Sequence, residues 1–262
     1  MIVSHQNAFV FLEIPQTGTT AIAQELLESY GAEEVLHKHA HLREFLKTAT
    51  PEQRRYRVAI SVRHPLDRLY SYFRKLIADH RGEFSDPSRW VENGGWVTPQ
   101  DRERRTFLSE HGEDFGDYLR RFHVGQPPVI SQYNWGKRRH AFRIRFEHLN
   151  EDFHAFLHAM GMEPLRDLPM VNPTRGRTRE FFSVYPEDLR PEMRRVFGPL
   201  AQEWGYGFPE DWGTGALPLG TRAHYAARNM AGRTLTEVLR ISPKQLQELR
   251  HGRSGRGSAA SA

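Results

Sequence analysis

The pattern of apolar and polar positions predicts repeated strand–helix units. Residues 8–14 and 56–62 are almost continuously apolar, as in parallel strands covered on both faces, and 141–146 alternates in part as a third strand. Apolar residues at helical spacing follow, as over 66–77. Alternation of this kind predicts an α/β fold, with a parallel sheet flanked by helices. The first strand is expected to begin near residue 8.

The stretch from residue 79 to residue 105 interrupts this regularity. It is polar, contains two adjacent glycines and lacks clean periodicity. We interpret it as an irregular insertion over the active face, acting as a lid. Its tryptophans, Trp90 and Trp96, either stack on the ring of an acceptor molecule or pin the loop in place.

Helical spacing returns after this insertion. We predict helices over residues 107–122, 150–160 with Asn150 as the N-cap, 186–204 and 222–239. The chain divides into an α/β domain over 1–212, a helical C-terminal extension over 213–250 and a low-complexity, disordered tail over 251–262.

Composition narrows the function classes. The 262 residues are 38% hydrophobic and 26% charged, which suits one α/β domain. A net charge of +5 favours anionic ligands such as nucleotides, sulfated molecules or nucleic acid. The lack of cysteine excludes disulfides, thiolate metal sites and cysteine nucleophiles. Neither a signal-peptide pattern nor a membrane-spanning run is evident, which predicts a cytoplasmic protein.

The loop from Pro15 to Thr20 joins the first strand to a helix. Unpaired backbone N–H groups and the helix dipole converge at such a junction, and Gly18 lets the backbone approach a phosphate closely. We therefore expect the loop to hold the 5′ end of a phosphorylated nucleotide. The Walker pattern is absent, because no lysine followed by serine or threonine comes after Gly18. The loop is thus P-loop-like but argues against an ATPase or GTPase.

Arg63 marks a second candidate position, at the carboxyl end of the second strand. Ligands of open α/β sheets bind at this edge. Ser71 follows two turns into the next helix. A structural ion pair is the alternative interpretation of the arginine.

Three histidines at alternate positions, His37, His39 and His41, form a third candidate feature. On an extended segment they would share a face and could ligate a metal. No carboxylate or cysteine joins them locally, so we expect no metal. A solvated cluster and a catalytic base remain as alternatives.

Four stretches resemble sulfotransferases that use 3′-phosphoadenosine 5′-phosphosulfate (PAPS), in the carbohydrate-type, family 2-like branch. They are FLEIPQTGTT, LHKHAHLREF, AISVRHPLDRLYSYFRKL and RFEHLNEDFHAFLHAMGM, and the resemblance extends over roughly residues 6–210. In that family the first stretch binds the 5′-phosphosulfate. An arginine and a serine eight residues apart, matching Arg63 and Ser71, bind the 3′-phosphate.

The resemblance implies roles for individual residues. The nucleotide would be held by Gln16, Thr17, Gly18, Thr19, Thr20, Arg63 and Ser71. His39 aligns with the family's candidate base, with His37 second and Glu13 a distant third. No metal is implied.

Gln16 departs from the family pattern, which has lysine at this position. Glutamine can donate a hydrogen bond to the leaving oxygen, but without charge assistance the bond is weaker. Lys38, Arg43 and Lys75 are candidates to supply the charge from elsewhere.

We therefore predict a PAPS-dependent sulfotransferase acting on a hydroxyl of a carbohydrate or small-molecule acceptor. A non-catalytic PAPS-binding protein and a P-loop kinase-like phosphotransferase are the alternatives. The arginines at 175, 177 and 179 would suit nucleic acid, but no recognition motif accompanies them, so no nucleic-acid partner is expected.

Overall fold

The computed structural model describes residues 1–130, 141–169 and 180–234. Its strands are β1 (Ile2–Ser4), β2 (Phe9–Leu12), β3 (Glu33–Glu34), β4 (Arg57–Val62) and β5 (Phe142–Arg145). Its α-helices are α1 (Thr19–Ser29), α2 (Leu42–Thr48), α3 (Pro65–Ala78), α4 (Pro99–His111), α5 (Phe115–Phe122), α6 (Leu149–Ala159), α7 (Arg190–Trp204) and α8 (Leu219–Arg233). The α/β class expected from the alternation is confirmed.

One mixed sheet organises the strands in the order β3-β1-β2-β4-β5. The three predicted strands, β2, β4 and β5, are parallel and lie side by side, with Ser61 opposite Ile144. The expectation that the first strand begins near residue 8 is wrong, because β1 precedes it and pairs antiparallel with β2 and β3. Strands of three and two residues are too short to carry a periodic signal.

Both faces of the sheet are covered, which explains the continuous apolar runs of β2 and β4. Val10 and Ile60 pack on one face in a cluster that reaches α2 and α7. Phe11 and Ala59 point the other way, toward α1 and α6. A third apolar cluster joins α3, α4, α5 and α7 away from the sheet.

The single helix predicted over 107–122 is two helices. Thr98 and Asp101 form a capping box that starts α4 at Pro99, inside the stretch expected to be irregular. Gly112, at φ +93°, separates it from α5. Polar residues dominate the first half of α4, so hydrophobic spacing did not reveal it.

The insertion before α4 is fastened by Trp90. Its indole Nε1 donates to the Phe84 carbonyl at 3.3 Å, and the Arg102 guanidinium lies 4.4 Å from the Trp90 ring. Trp96 is exposed and meets Phe84 edge-on. Trp90 therefore pins the loop, and the lid function stays a prediction.

Asn150 does not cap α6. The N-cap is His148, and the Asn150 side chain instead accepts a hydrogen bond from the Leu168 amide at 2.9 Å. The helix predicted over 186–204 begins at Arg190 after a 3₁₀ turn. A side chain that reaches a distant loop cannot be distinguished from a cap in the sequence.

The C-terminal extension is described as far as residue 234. Its helix α8 contacts α7 through a hydrogen bond from Tyr225 to Glu203, and Arg228 donates to the Pro128 carbonyl. The proposed domain boundaries at 213 and 251 stay predictions, and the tail lies outside the described residues. None of the described helices combines the length and apolarity that a membrane span requires.

Candidate active site at the carboxyl ends of the strands

The loop between β2 and α1 has the geometry of an anion site. Gly18 is the N-cap of α1 at φ +80°, and no side chain caps the helix. Gln16 also adopts a left-handed conformation, at φ +66°. The amides of the first turn therefore lack intrahelical partners and carry the positive end of the dipole.

Close packing favours glycine at position 18, in addition to its left-handed φ. A Cβ atom there would lie 3.1 Å from Cδ2 of Phe146 and 3.3 Å from the Leu149 side chain. The connection between β5 and α6 therefore forms a wall against the loop. A side chain at this position would require Phe146 and Leu149 to move by a few tenths of an ångström, so glycine suits this place best.

Thr17 faces inward and fixes the loop to the sheet. Its buried Oγ1 donates to the Ile14 carbonyl at 2.8 Å and lies 2.5 Å from Oγ of Ser61 on β4. Thr19 is also buried, whereas Thr20 is partly exposed. The Thr17 hydroxyl, one of the predicted donors to a ligand, therefore holds the loop in place through contacts within the protein.

Arg63 links the second strand to the same loop. Its guanidinium forms a buried, two-pronged pair with Asp67, with Nε–Oδ2 at 2.7 Å and Nη2–Oδ1 at 2.8 Å. Nη1 donates to the Gln16 carbonyl at 3.2 Å, and Phe146 stacks beneath at 4.4 Å. The structural ion pair left open by the sequence is present, at the carboxyl edge where a ligand is expected.

Ser71, the second residue predicted to bind the 3′-phosphate, lies on α3. It is buried and lies one turn beyond Asp67, so the two side chains are neighbours on one side of the helix. Arg63 reaches the same side through its pair with Asp67. The eight-residue spacing therefore brings the predicted 3′-phosphate ligands to one side of α3.

His64 anchors this edge of the sheet. Its Nδ1 accepts from the Leu66 amide at 3.2 Å, capping α3, and its Nε2 donates to the Gly207 carbonyl at 3.1 Å. Burial lowers the pKa of His64 to about 4, so the ring is neutral near pH 7. The surrounding rings are those of Phe181, Phe182, Tyr206 and Phe208.

His39 lies beside the start of the loop. Its Nδ1 is 2.6 Å from the Glu13 carbonyl oxygen, and its backbone is left-handed at φ +65°. Burial lowers the pKa of His39 below its usual 6.5. Because a carbonyl can only accept, Nδ1 carries the proton, which leaves the Nε2 lone pair to take another.

The neighbouring candidates have other contacts. The Glu13 carboxylate lies 2.7 Å from the Met1 amino nitrogen. His41 caps α2 in a reciprocal pairing with Glu44, and His37 is exposed. Within the described ranges, no group of three or more histidine, aspartate or glutamate residues could hold a metal ion.

Lys38 and Lys75, two of the three candidate cations, contact different parts of the structure. The Lys38 ammonium Nζ donates to Oγ1 of Thr20 at 3.3 Å, at the start of α1. Lys75 on α3 instead lies 3.5 Å from Glu83. The structure thus brings Lys38 to the loop and pairs Lys75 within the insertion.

Sequence reasoning missed three supports of the site: Ser61, Phe146 and the pairing of Asp67. A serine inside an apolar strand and an acid four residues after Arg63 were available signals. Phe146 gave none, because its contact with the loop depends on the order of the strands. Arg175, Arg177 and Arg179 lie outside the described residues.

Comparisons with known proteins place these features in a family. Searches of curated proteins and of solved structures found no match. A family model described as "Sulfotransferase family" matches residues 1–197, which contain the loop, His39, Arg63 and Ser71. The chain therefore belongs to the sulfotransferase family, in the family 2-like branch that its motifs resemble.

Proposed function

We propose that this protein transfers a sulfuryl group from PAPS to a hydroxyl of a carbohydrate or small-metabolite acceptor. The observation that carries the proposal is the contact between His39 Nδ1 and the Glu13 carbonyl. This contact holds a neutral base beside Glu13, which lies two residues before the anion-binding loop begins at Pro15. An anionic donor and an uncharged nucleophile need this combination. The cysteine-free composition supports a cytoplasmic location as part of the proposal.

The residues would divide the chemistry between them. His39 Nε2 takes the acceptor's proton as the hydroxyl attacks. The amides of Gly18, Thr19 and Thr20, at the start of α1, stabilise the charge that develops on the leaving nucleotide. The left-handed N-cap at Gly18 supports this role, because no side chain caps the helix and the first amides of α1 stay available to the donor.

Arg63 and Ser71 would recognise the donor's 3′-phosphate. Arg63 donates two of its N–H groups to Asp67 and one to the Gln16 carbonyl. Because a guanidinium has five N–H donors, two remain for a ligand. Recognition of the 3′-phosphate would distinguish PAPS from ATP. No residue in this scheme requires a metal.

Gln16 supports a second candidate, a protein that binds PAPS without turnover. The amide of glutamine provides no positive charge at the position where the family has lysine. The two candidates differ in one measurable property, which is transfer of sulfur to an acceptor.

The test is incubation of the purified chain with ³⁵S-labelled PAPS and a panel of hydroxylated carbohydrates and metabolites. We expect label in at least one acceptor, and its loss in His39→Asn. Tight binding of 3′,5′-bisphosphoadenosine without transfer to any acceptor would favour the non-catalytic candidate. Tighter binding of ATP–Mg²⁺ than of 3′,5′-bisphosphoadenosine would contradict both and favour a kinase-like protein.

A further inference from the structure

The anion-binding loop carries no positive side chain of its own. The six residues from Pro15 to Thr20 include no lysine, arginine or histidine. Arg63 contacts the loop, but its charge is matched by the buried Asp67 carboxylate in a two-pronged pair. The helix dipole provides only about half a charge at this end. A phosphosulfate bound here therefore needs a further cation.

Lys38 is placed to be that cation. Its Nζ lies 3.3 Å from Oγ1 of Thr20, the second residue of α1, where the unpaired amides converge. The ammonium is exposed and carries no ion pair with a carboxylate in the described part of the chain. A hydroxyl is a weaker hydrogen-bond partner for an ammonium than an anion is. An anion bound beside Thr20 would therefore accept a hydrogen bond from Lys38, in place of the Thr20 hydroxyl or in addition to it.

The backbone around Lys38 is held in an unusual conformation. Leu36 and His39, on either side, are both left-handed, at φ +66° and +65°. Such conformations are costly for residues other than glycine and persist where the surroundings enforce them. Lys38 reaches Thr20 while the adjacent His39 reaches the Glu13 carbonyl. The segment thus places an ammonium beside Thr20, at the end of the loop, and an imidazole beside Glu13, two residues before the loop begins.

We propose that Lys38 is a catalytic residue that binds the 5′-phosphosulfate and stabilises charge on its bridging oxygen, in the role that Gln16 leaves without a cation. This inference rests on the proposed function. The acceptor oxygen forms a bond to sulfur as the bond from sulfur to the bridging oxygen breaks. The acceptor proton passes to His39 Nε2. The electron pair of the broken bond stays on the 5′-phosphate, where the Lys38 N–H donates to it.

Binding measurements test the contact without turnover. We compare Lys38→Met with the wild type by calorimetric titration of 3′,5′-bisphosphoadenosine and of adenosine 3′-monophosphate, which lacks the 5′ group. Loss of a charged hydrogen bond predicts about tenfold weaker binding of the bisphosphate and unchanged binding of the monophosphate. Lys47→Met is the matched control, because Lys47 is exposed in the last turn of α2. It should leave both affinities unchanged.

Turnover provides the second readout. Lys38→Met should lower kcat at least tenfold, and adding Gln16→Lys to it should restore most of the loss, because the charge returns to the same anion. Equal bisphosphate affinity in Lys38→Met and wild type would overturn the inference. So would a double variant no more active than Lys38→Met, if the single Gln16→Lys protein is active.

Failure of the proposed function gives a different pattern. A wild-type protein that binds the bisphosphate but transfers no sulfur refutes the sulfotransferase activity, while the binding comparison still decides whether Lys38 contacts the 5′ group. A wild-type protein that binds neither nucleotide overturns both. The two proposals are therefore separable in the same set of titrations.

Discussion

The Nδ1 atom of His39 lies 2.6 Å from the carbonyl oxygen of Glu13, the residue that leads into the anion-binding loop. This contact fixes both the tautomer and the position of the imidazole ring relative to the loop. It is a backbone contact, so it does not depend on the identity of the side chain at position 13. The ring therefore keeps Nε2 as its proton acceptor.

Replacing His39 should remove the base and leave donor binding intact. In His39→Asn the amide nitrogen can still donate to the Glu13 carbonyl, and asparagine tolerates a left-handed backbone. We expect kcat to fall by roughly 10²- to 10⁴-fold, as is usual for loss of a general base, with the affinity for 3′,5′-bisphosphoadenosine unchanged. The matched variant is His37→Asn, two residues away and exposed. A loss confined to His37→Asn would identify that residue as the base instead.

The pH dependence of kcat should follow the same group. His39 must be neutral to accept a proton, and burial holds its pKa below 6.5. Activity should therefore be level through neutral pH and fall only below pH 6.5, as the ring becomes protonated. A pH–rate profile of the wild type measures this, and an acid limb centred above pH 7 would contradict it.

Ser71 should affect only ligands that carry a 3′-phosphate. A hydrogen bond to a charged group contributes about 1.5–3 kcal/mol, so Ser71→Ala should weaken 3′,5′-bisphosphoadenosine binding by at least tenfold. Adenosine 5′-phosphosulfate, which lacks the 3′-phosphate, should bind as before. Ser109→Ala on the exposed side of α4 is the control. An equal loss for both ligands would show that the buried serine supports the fold rather than the phosphate.

Gly18→Ala should damage the loop more than its backbone conformation alone requires. An alanine at φ +80° costs about 1–2 kcal/mol. Its Cβ would also push against the Phe146 and Leu149 side chains, which form the wall. Gly205→Ala is the control, because Gly205 has φ +85° and a Cβ atom there would meet no other atom within 4 Å. Urea unfolding should show a larger loss for Gly18→Ala, and only that variant should weaken nucleotide binding. Equal losses of stability in the two variants would mean that Phe146 and Leu149 move aside at little cost in free energy.

His64 should make the fold sensitive to acid. Burial lowers its pKa from 6.5 to about 4, so the unfolded chain binds the extra proton between these values and the native state does not. The free energy of unfolding should therefore be largest above pH 6.5 and fall by about 3 kcal/mol on acidification to pH 4 from this group alone. Urea titrations of wild type and His64→Gln across this range test it. His64→Gln should be less stable than the wild type at pH 7 but should lose less unfolding free energy on acidification. Parallel plots of unfolding free energy against pH would contradict the role given to His64.

The sequence by itself determined the central architecture and most of the site. The apolar runs of β2 and β4 and the helical spacing after them depend on local periodicity, which survives in a single chain. The loop around Gly18 and the spacing of Arg63 and Ser71 are also local patterns. These were enough to predict an α/β protein and the family to which it belongs.

The tertiary structure decided how these parts meet. The antiparallel strands β1 and β3 are too short, at three and two residues, to carry a periodic signal, and their pairing with neighbouring strands defines them. The wall formed by Phe146, and the approach of Lys38 to Thr20, depend on which segments the sheet order brings together. Periodicity describes which face a residue occupies, whereas contacts between distant segments are set by the packing of the whole chain.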